Sequence, residues 1–151
     1  MNKKLFITGG AGFIGSNFIR YILDKYQNYD ILNFDKLTYA GNLDNLKDIE
    51  NSPHYSFIKG DICDKKSLRS IFEKEKFDFI VNFAAESHVD KSIFGPRVFV
   101  KTNVLGVNNL LEIARKYEVE KFMQISTDEV YGSIEKGSFN EESRLLPNSP
   151  Y

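Results

Sequence analysis

Apolar residues along the chain alternate between short runs and helical spacing. Leu5-Phe6-Ile7 is a compact run that stops at glycines. Ile14, Phe18, Ile22 and Tyr26 then recur at helical spacing, widened by Ile19 and Leu23, and predict an amphipathic helix. Ile31-Leu32-Asn33-Phe34 predicts a second strand and Tyr55-Ser56-Phe57-Ile58 a third, joined by a loop with room for a helical turn. Leu68, Ile71 and Phe72 predict a short helix between Asp64 and Glu75, and Phe79-Ile80-Val81-Asn82-Phe83 a fourth strand. Val104, Val107, Leu111 and Ala114, broadened by Leu110 and Ile113, predict a long helix before a fifth strand, Phe122-Met123-Gln124-Ile125-Ser126. Residues 132–151 lack periodicity, carry Pro147 and Pro150, and read as loop.

Strands that alternate with helices build a parallel sheet covered on both faces, and near-continuous apolar strands suit that double burial. Right-handed crossovers make the sheet doubly wound. The expected fold class is therefore α/β with a doubly wound parallel sheet, in one domain over residues 1–151.

Composition adds exclusions. The chain is 42% hydrophobic and 27% charged, which excludes a disordered chain or a disulfide scaffold. Twenty basic and 21 acidic residues leave a net charge of −1, so there is no basic field for nucleic acid or an anionic membrane. No apolar run approaches the roughly 20 residues that span a bilayer, and Leu5 to Ile7 is too short for a signal-peptide core. The single Cys63 points to a reducing compartment, so a cytoplasmic protein is expected. His54 reads as a loop residue and His88 as a helix start; neither belongs to a metal-ligating cluster.

The first strand runs into Thr8-Gly9-Gly10-Ala11-Gly12-Phe13-Ile14-Gly15. Gly10, Gly12 and Gly15 satisfy G-x-G-x-x-G, and Gly9, Gly12 and Gly15 satisfy G-x-x-G-x-x-G. A turn of this kind bends sharply, exposes backbone N–H groups and lets a pyrophosphate approach a helix N-terminus. Asp35 ends the second strand about 20 residues after the last glycine, where a carboxylate accepts from the adenosine ribose and repels a 2′-phosphate. That favours NAD over NADP, although the neighbouring Lys36 weakens the argument. Asp61 follows the third strand and Phe83-Ala84-Ala85-Glu86-Ser87 the fourth, all at the edge where such sheets bind ligands. Asp128 and Glu129 end the fifth strand. Two carboxylates there can divide acid and base roles, but both reach one substrate only if the chain bends.

The glycine turn resembles that of the extended short-chain dehydrogenase/reductase family. Asp35-Lys36-Leu37-Thr38-Tyr39-Ala40-Gly41-Asn42, Ala84-Ala85-Glu86-Ser87-His88-Val89-Asp90 and Ser126-Thr127-Asp128-Glu129-Val130-Tyr131-Gly132 resemble, more closely, the dTDP-glucose 4,6-dehydratases within it. The Asp-Glu pair after Thr127 distinguishes those dehydratases from their epimerase and decarboxylase relatives. The resemblance implies a Rossmann-type sheet with NAD as a recycled hydride carrier. It places Gly9, Gly12, Phe13, Ile14 and Gly15 at the pyrophosphate, and Asp35, Lys36, Leu37 and Thr38 at the adenosine ribose. Asp61 and Ile62 would bracket the adenine, with Phe83, Ala84, Ala85, Glu86, Ser87 and Thr102 further along the cofactor. Ser87 and Thr127 would touch the nucleotide sugar, Asp128 would act as acid and Glu129 as base.

The family's tyrosine lies in Tyr-x-x-x-Lys. Tyr151 matches the tyrosine, and the lysine would fall beyond the last residue. The expectation is therefore the N-terminal half of a dehydratase, its sheet truncated after five strands and its C-terminal substrate-binding part absent. Such a half would be inactive alone or would serve as a non-catalytic NAD-binding module. It would also expose an apolar face, and a homodimer would depend on the full-length chain.

Overall fold

The structure, a computed structural model, describes residues 2–151. Five strands form one parallel sheet in the order β3-β2-β1-β4-β5. They are β1 (Lys3–Thr8), β2 (Tyr29–Asp35), β3 (Tyr55–Lys59), β4 (Phe79–Asn82) and β5 (Lys121–Gln124). The chain winds outward from β1 to β3, then crosses back to β4. The order therefore reverses between β1 and β4, and a crevice opens beyond their carboxyl ends.

Alternation along each strand splits the core into two layers. Leu5 and Ile7 of β1 pack on Ile19 and Ile22 of α1 (Phe13–Lys25). Phe6 points the other way, to Leu68 and Phe72 of α2 (Lys65–Lys74) and to Leu110 and Ile113 of α5 (Val107–Lys116). Val81 and Ile80 of β4 divide in the same manner. Phe6 meets Phe72 at 4.9 Å and Phe77 at 5.2 Å, both edge-on, which adds aromatic attraction to the burial. Asp64 caps α2 by accepting from the Lys66 and Ser67 N–H groups.

Several expectations need correction. Ile14 heads the predicted stripe of α1, yet it is 61% exposed, because the first turn of α1 stands beyond the sheet edge. Tyr26 is also exposed. The long helix begins earlier than predicted, as α3 (Val89–Phe94) and α4 (Pro96–Phe99), and passes through wide π-type turns over Val100–Gly106 into α5. Those turns shift the helical phase, so Val104 and Leu111 face outward while Leu110 and Ile113 carry the core. β4 and β5 end at Asn82 and Gln124, short of Phe83 and Ser126. β5 is an edge strand and is not doubly buried, with Met123 55% exposed. A helical turn, Leu43–Leu46, occupies the loop after β2.

Candidate functional site

A groove of about 350 Å³ opens along the carboxyl edge of the sheet. Gly9, Gly12, Phe13, Ile14 and Gly15 form its floor beyond β1. Gly9 sits at φ +70°, and a Cβ there would stand 2.5 Å from the Ala84 nitrogen. A Cβ on Gly15 would stand 2.4 Å from the Gly9 carbonyl. These two glycines are required by the chain's own packing. Gly12 differs. Its backbone is extended, with φ −76° and ψ 175°. A Cβ there would meet only the Gly9 carbonyl at 3.3 Å and the Ala40 carbonyl at 3.9 Å. The protein hardly needs a glycine at that place; a ligand that lies against the backbone does. No side chain caps α1 and no acidic residue stands in its first turn, so its leading N–H groups remain for an anion.

Asp35 is buried at the end of β2. Its Oδ2 accepts from the Ala11 N–H at 2.9 Å and its Oδ1 from the Leu37 N–H at 2.8 Å. The carboxylate thus clamps the glycine turn and bends the next loop, where Leu37 takes φ +56°. A Cβ on Gly41 would lie 2.9 Å from Asp35 Oδ1, so the loop closes on the carboxylate only with glycine there. Lys36 Nζ pairs with Asp61 Oδ2 at 2.9 Å, and Asp61 Oδ1 accepts from the Cys63 N–H at 2.8 Å. Burial alone would push the Asp61 carboxyl up; the Lys36 ammonium and the Cys63 amide outweigh it and hold the group below its ordinary range. The same hydrogen bond raises the Lys36 ammonium. Cys63 remains a free thiol, raised by burial and by Asp61.

The far wall follows β4. Asn103, within the wide turns, accepts from the Glu86 N–H at 2.9 Å and donates to the Glu86 carbonyl at 2.8 Å. This pair of hydrogen bonds fixes the segment Ala84 to Ser87 beside Thr102. Lys91 Nζ stands 4.1 Å over the Tyr39 ring and ties α3 to the loop after β2.

Beyond β5 the chain does bend. Thr127 caps a tight helical turn, Asp128–Tyr131, by accepting from the Glu129 N–H at 3.2 Å. Ser149 donates to Glu129 Oε2 at 3.0 Å, and Asn148 donates to Ser133 Oγ at 2.7 Å. The last residues therefore fold back, and Tyr151 reaches the groove with its ring 6.2 Å from Phe99, edge-on.

The groove brings together every cofactor residue expected from the sequence except Leu37, whose contribution is its backbone. Tyr151 joins them. Thr127, Asp128 and Glu129 do not line the groove; they begin one residue past Ser126, which does. Phe34, Ala40, Gly41, Gly60, Ile125 and Ser126 also line it, and the sequence assigned none of them a place at the cofactor. Gly60 carried a signal, a glycine at a strand end: a Cβ there would lie 2.2 Å from the Phe34 ring. A second cavity, of about 220 Å³, lies at the opposite edge, between Lys4, Asp30, His54 and Glu75. Its polar groups are already paired, Lys4 with Glu75 and the His54 ring with Asp30. Among the described residues no group of His, Cys, Asp and Glu is arranged to hold a metal ion, and no helix is long and apolar enough to cross a membrane.

Residues 6–151 match the family described as GDP-mannose 4,6 dehydratase. A low-salt glycan biosynthesis protein of Haloferax volcanii is 50% identical over 145 residues, which cover 96% of this chain and 46% of that protein. The crystal structure of dTDP-glucose 4,6-dehydratase from Bacillus anthracis in complex with NAD is 49% identical, with a TM-score of 0.87 over 99% of this chain and 46% of that one. The UDP-Glc/GlcNAc 4-epimerase of Campylobacter jejuni superposes with a TM-score of 0.91 at 33% identity, over 99% of this chain and 45% of its own. The chain spans about half the length of the curated relatives it matches.

Proposed function

The chain belongs to the GDP-mannose 4,6 dehydratase family, and from that premise we propose that residues 1–151 form the NAD-binding domain of a nucleotide-sugar dehydratase. The substrate is dTDP-glucose and the product dTDP-4-keto-6-deoxyglucose. The observation that carries the reading is the opening at Gly12: a glycine its own fold hardly requires, at an uncapped helix start, in a groove beside a buried Asp35. The floor residues then take the pyrophosphate on backbone N–H groups, and Asp35 to Thr38 surround the ribose. Asp61 and Ile62 bracket the adenine, and Phe83 to Ser87 with Thr102 line the rest.

NAD, when bound, supplies a hydride acceptor at the sugar C4 and a donor at C6. This chain's residues handle the protons. Tyr151 takes the proton of the 4-hydroxyl. The C4 ketone makes the C5 proton acidic, and Glu129 removes it. Ser149 holds Glu129 Oε2, which leaves Oε1 for that proton. Asp128 protonates the departing C6 hydroxyl, so the sugar loses water. Ser87 and Thr127 hold the nucleotide sugar. The turn capped by Thr127 supplies the bend that lets neighbouring carboxylates serve one substrate. The outward row Val100, Val104 and Leu111 suits a contact between two copies, and the thiol of Cys63 suits the cytoplasm.

Product analysis tests the reading. A sugar nucleotide lighter by one water supports dehydration. An epimer of unchanged mass supports the second reading, which rests on the equally good superposition with a 4-epimerase. NAD bound with no turnover of any nucleotide sugar reduces the chain to a binding module. In an active protein, Glu129→Gln lowers turnover by about 10²- to 10⁴-fold with NAD affinity unchanged; full dehydration by that variant removes Glu129 from the role.

A further inference from the structure

We infer that Asp61 sets the preference for a dinucleotide with a free ribose 2′-hydroxyl, because it silences Lys36. The inference rests on the cofactor reading above and deepens it. Lys36 directly follows Asp35 at the end of β2, and both line the same end of the groove. An ammonium beside the ribose-binding carboxylate is the group a 2′-phosphate seeks. Left free, Lys36 would counter the repulsion from Asp35.

The geometry removes that freedom. Lys36 Nζ lies 2.9 Å from Asp61 Oδ2. Asp61 is the more buried partner, with 25% of its side chain exposed against 54% for Lys36. Its other oxygen is held by the Cys63 N–H at 2.8 Å, so the carboxylate is fixed and the lysine is drawn to it. Asp35 has no such lysine partner; its two oxygens accept from the Ala11 and Leu37 N–H groups. This end of the groove therefore holds two carboxylates against one ammonium, and Glu86 adds a third on the far wall. The balance repels a 2′-phosphate. Without the charge of Asp61, Lys36 would turn to the phosphate.

Asp61→Asn tests this, since the asparagine oxygen still accepts from Cys63 and preserves the turn. Dissociation constants are measured for NAD and NADP, and for 5′-AMP and 2′,5′-ADP, which isolate the phosphate. The 2′-phosphorylated to unphosphorylated ratio of constants should fall roughly tenfold in D61N and return in D61N/K36M. Lys36→Met alone frees the charge of Asp61 and should raise the ratio, never lower it, a check that holds even if D61N folds poorly. A merely structural role for Asp61 would move both ligands together. An unchanged ratio in D61N, a shift that persists in D61N/K36M, or a lowered ratio in K36M overturns the inference and leaves the cofactor reading standing. A wild type that binds neither NAD nor 5′-AMP overturns that reading and the inference with it.

Discussion

At the scale of single residues, three of the four glycines of the first turn, Gly9, Gly12 and Gly15, do not share one reason to be glycine. Gly9 lies in the left-handed region and against the Ala84 backbone; Gly15 lies against the Gly9 carbonyl. Alanine at either place forces backbone to move. Gly12 has ordinary dihedrals and one close neighbour, which an alanine displaces by a few tenths of an ångström. Gly12→Ala should therefore cost less than about 1 kcal/mol of stability while weakening NAD at least about tenfold, because the methyl occupies the approach of the pyrophosphate. Gly9→Ala should cost about 2 kcal/mol or more, through strain and overpacking. Denaturant unfolding and NAD titration of the two variants separate the effects. Equal loss of stability in both would mean that Gly12 too is there for the fold. Asp35 would double its work in one side chain: it holds the Ala11 and Leu37 N–H groups, and under the proposed function it also meets the ribose.

At the scale of elements, the sheet carries a polar row beneath the groove, buried at Thr8 and Asn82 and reaching solvent at Gln124. Thr8 of β1 donates its hydroxyl to Asn82 Oδ1 of β4, which also accepts from the Ala84 N–H at 3.2 Å. Asn82 Nδ2 donates to Gln124 Oε1 of β5 at 2.8 Å, and Gln124 donates to the Ile125 carbonyl at 3.0 Å. The row ties three strand ends to the wall at Ala84 and to the chain that leads into Asp128 and Glu129. Asn82→Leu would strand the Thr8 hydroxyl and the Ala84 N–H at once, while the exposed Gln124 turns to water. It should cost about 3 kcal/mol or more, whereas Thr8→Val, which removes one donor, should cost about 1 kcal/mol. Equal losses in denaturant unfolding would show that the row does not act through Asn82. None of this row was legible in the sequence, where Asn82 and Gln124 read only as polar interruptions of apolar strands. The strands themselves were legible, because short apolar runs ended where the glycines, Asp35 and Asp61 began, and that placed nearly the whole groove wall. The wide turns over Val100–Gly106 were not, since a backbone irregularity leaves no periodic trace; Leu110, Ile113 and Ala114 of the predicted stripe meet the core, whereas Val104 and Leu111 came out on the solvent face. Nor was the return of Ser149 to Glu129, because an aperiodic segment gives no hint of where it docks.

At the scale of the whole molecule, the two edges of the sheet do different work. The carboxyl edge leaves Gly12 and the leading N–H groups of α1 open. The amino edge is closed by ion pairs: Lys3 with Asp78 at 3.0 Å and with Glu120 at 2.6 Å, and Lys4 with Glu75 at 2.6 Å. Asp78 is the centre of this edge. Its Oδ2 accepts from the Lys4 N–H at 2.7 Å and its Oδ1 from Lys3 Nζ, which joins the start of β1 to the approach of β4. Burial alone would raise the Asp78 carboxyl; the Lys4 amide and the Lys3 ammonium outweigh it and hold the group below its ordinary 3.8. A carboxyl that is lowered on folding adds stability that is full above its unfolded value and is lost as the pH falls through the folded one. The molecule should therefore lose stability on acidification below about pH 4, as Asp78 and the similarly lowered Asp30 and Asp61 take up protons. Asp78→Asn removes one of these linked groups. It should be less stable at neutral pH by about 1 kcal/mol, and the gap to the wild type should close in acid, where the native carboxyl is protonated as well. Denaturant unfolding at neutral pH and near pH 3 reads both slopes. A gap that stays constant between the two would mean that Asp78 acts through shape alone, and that the amino edge is held by the strand pairing rather than by its charges.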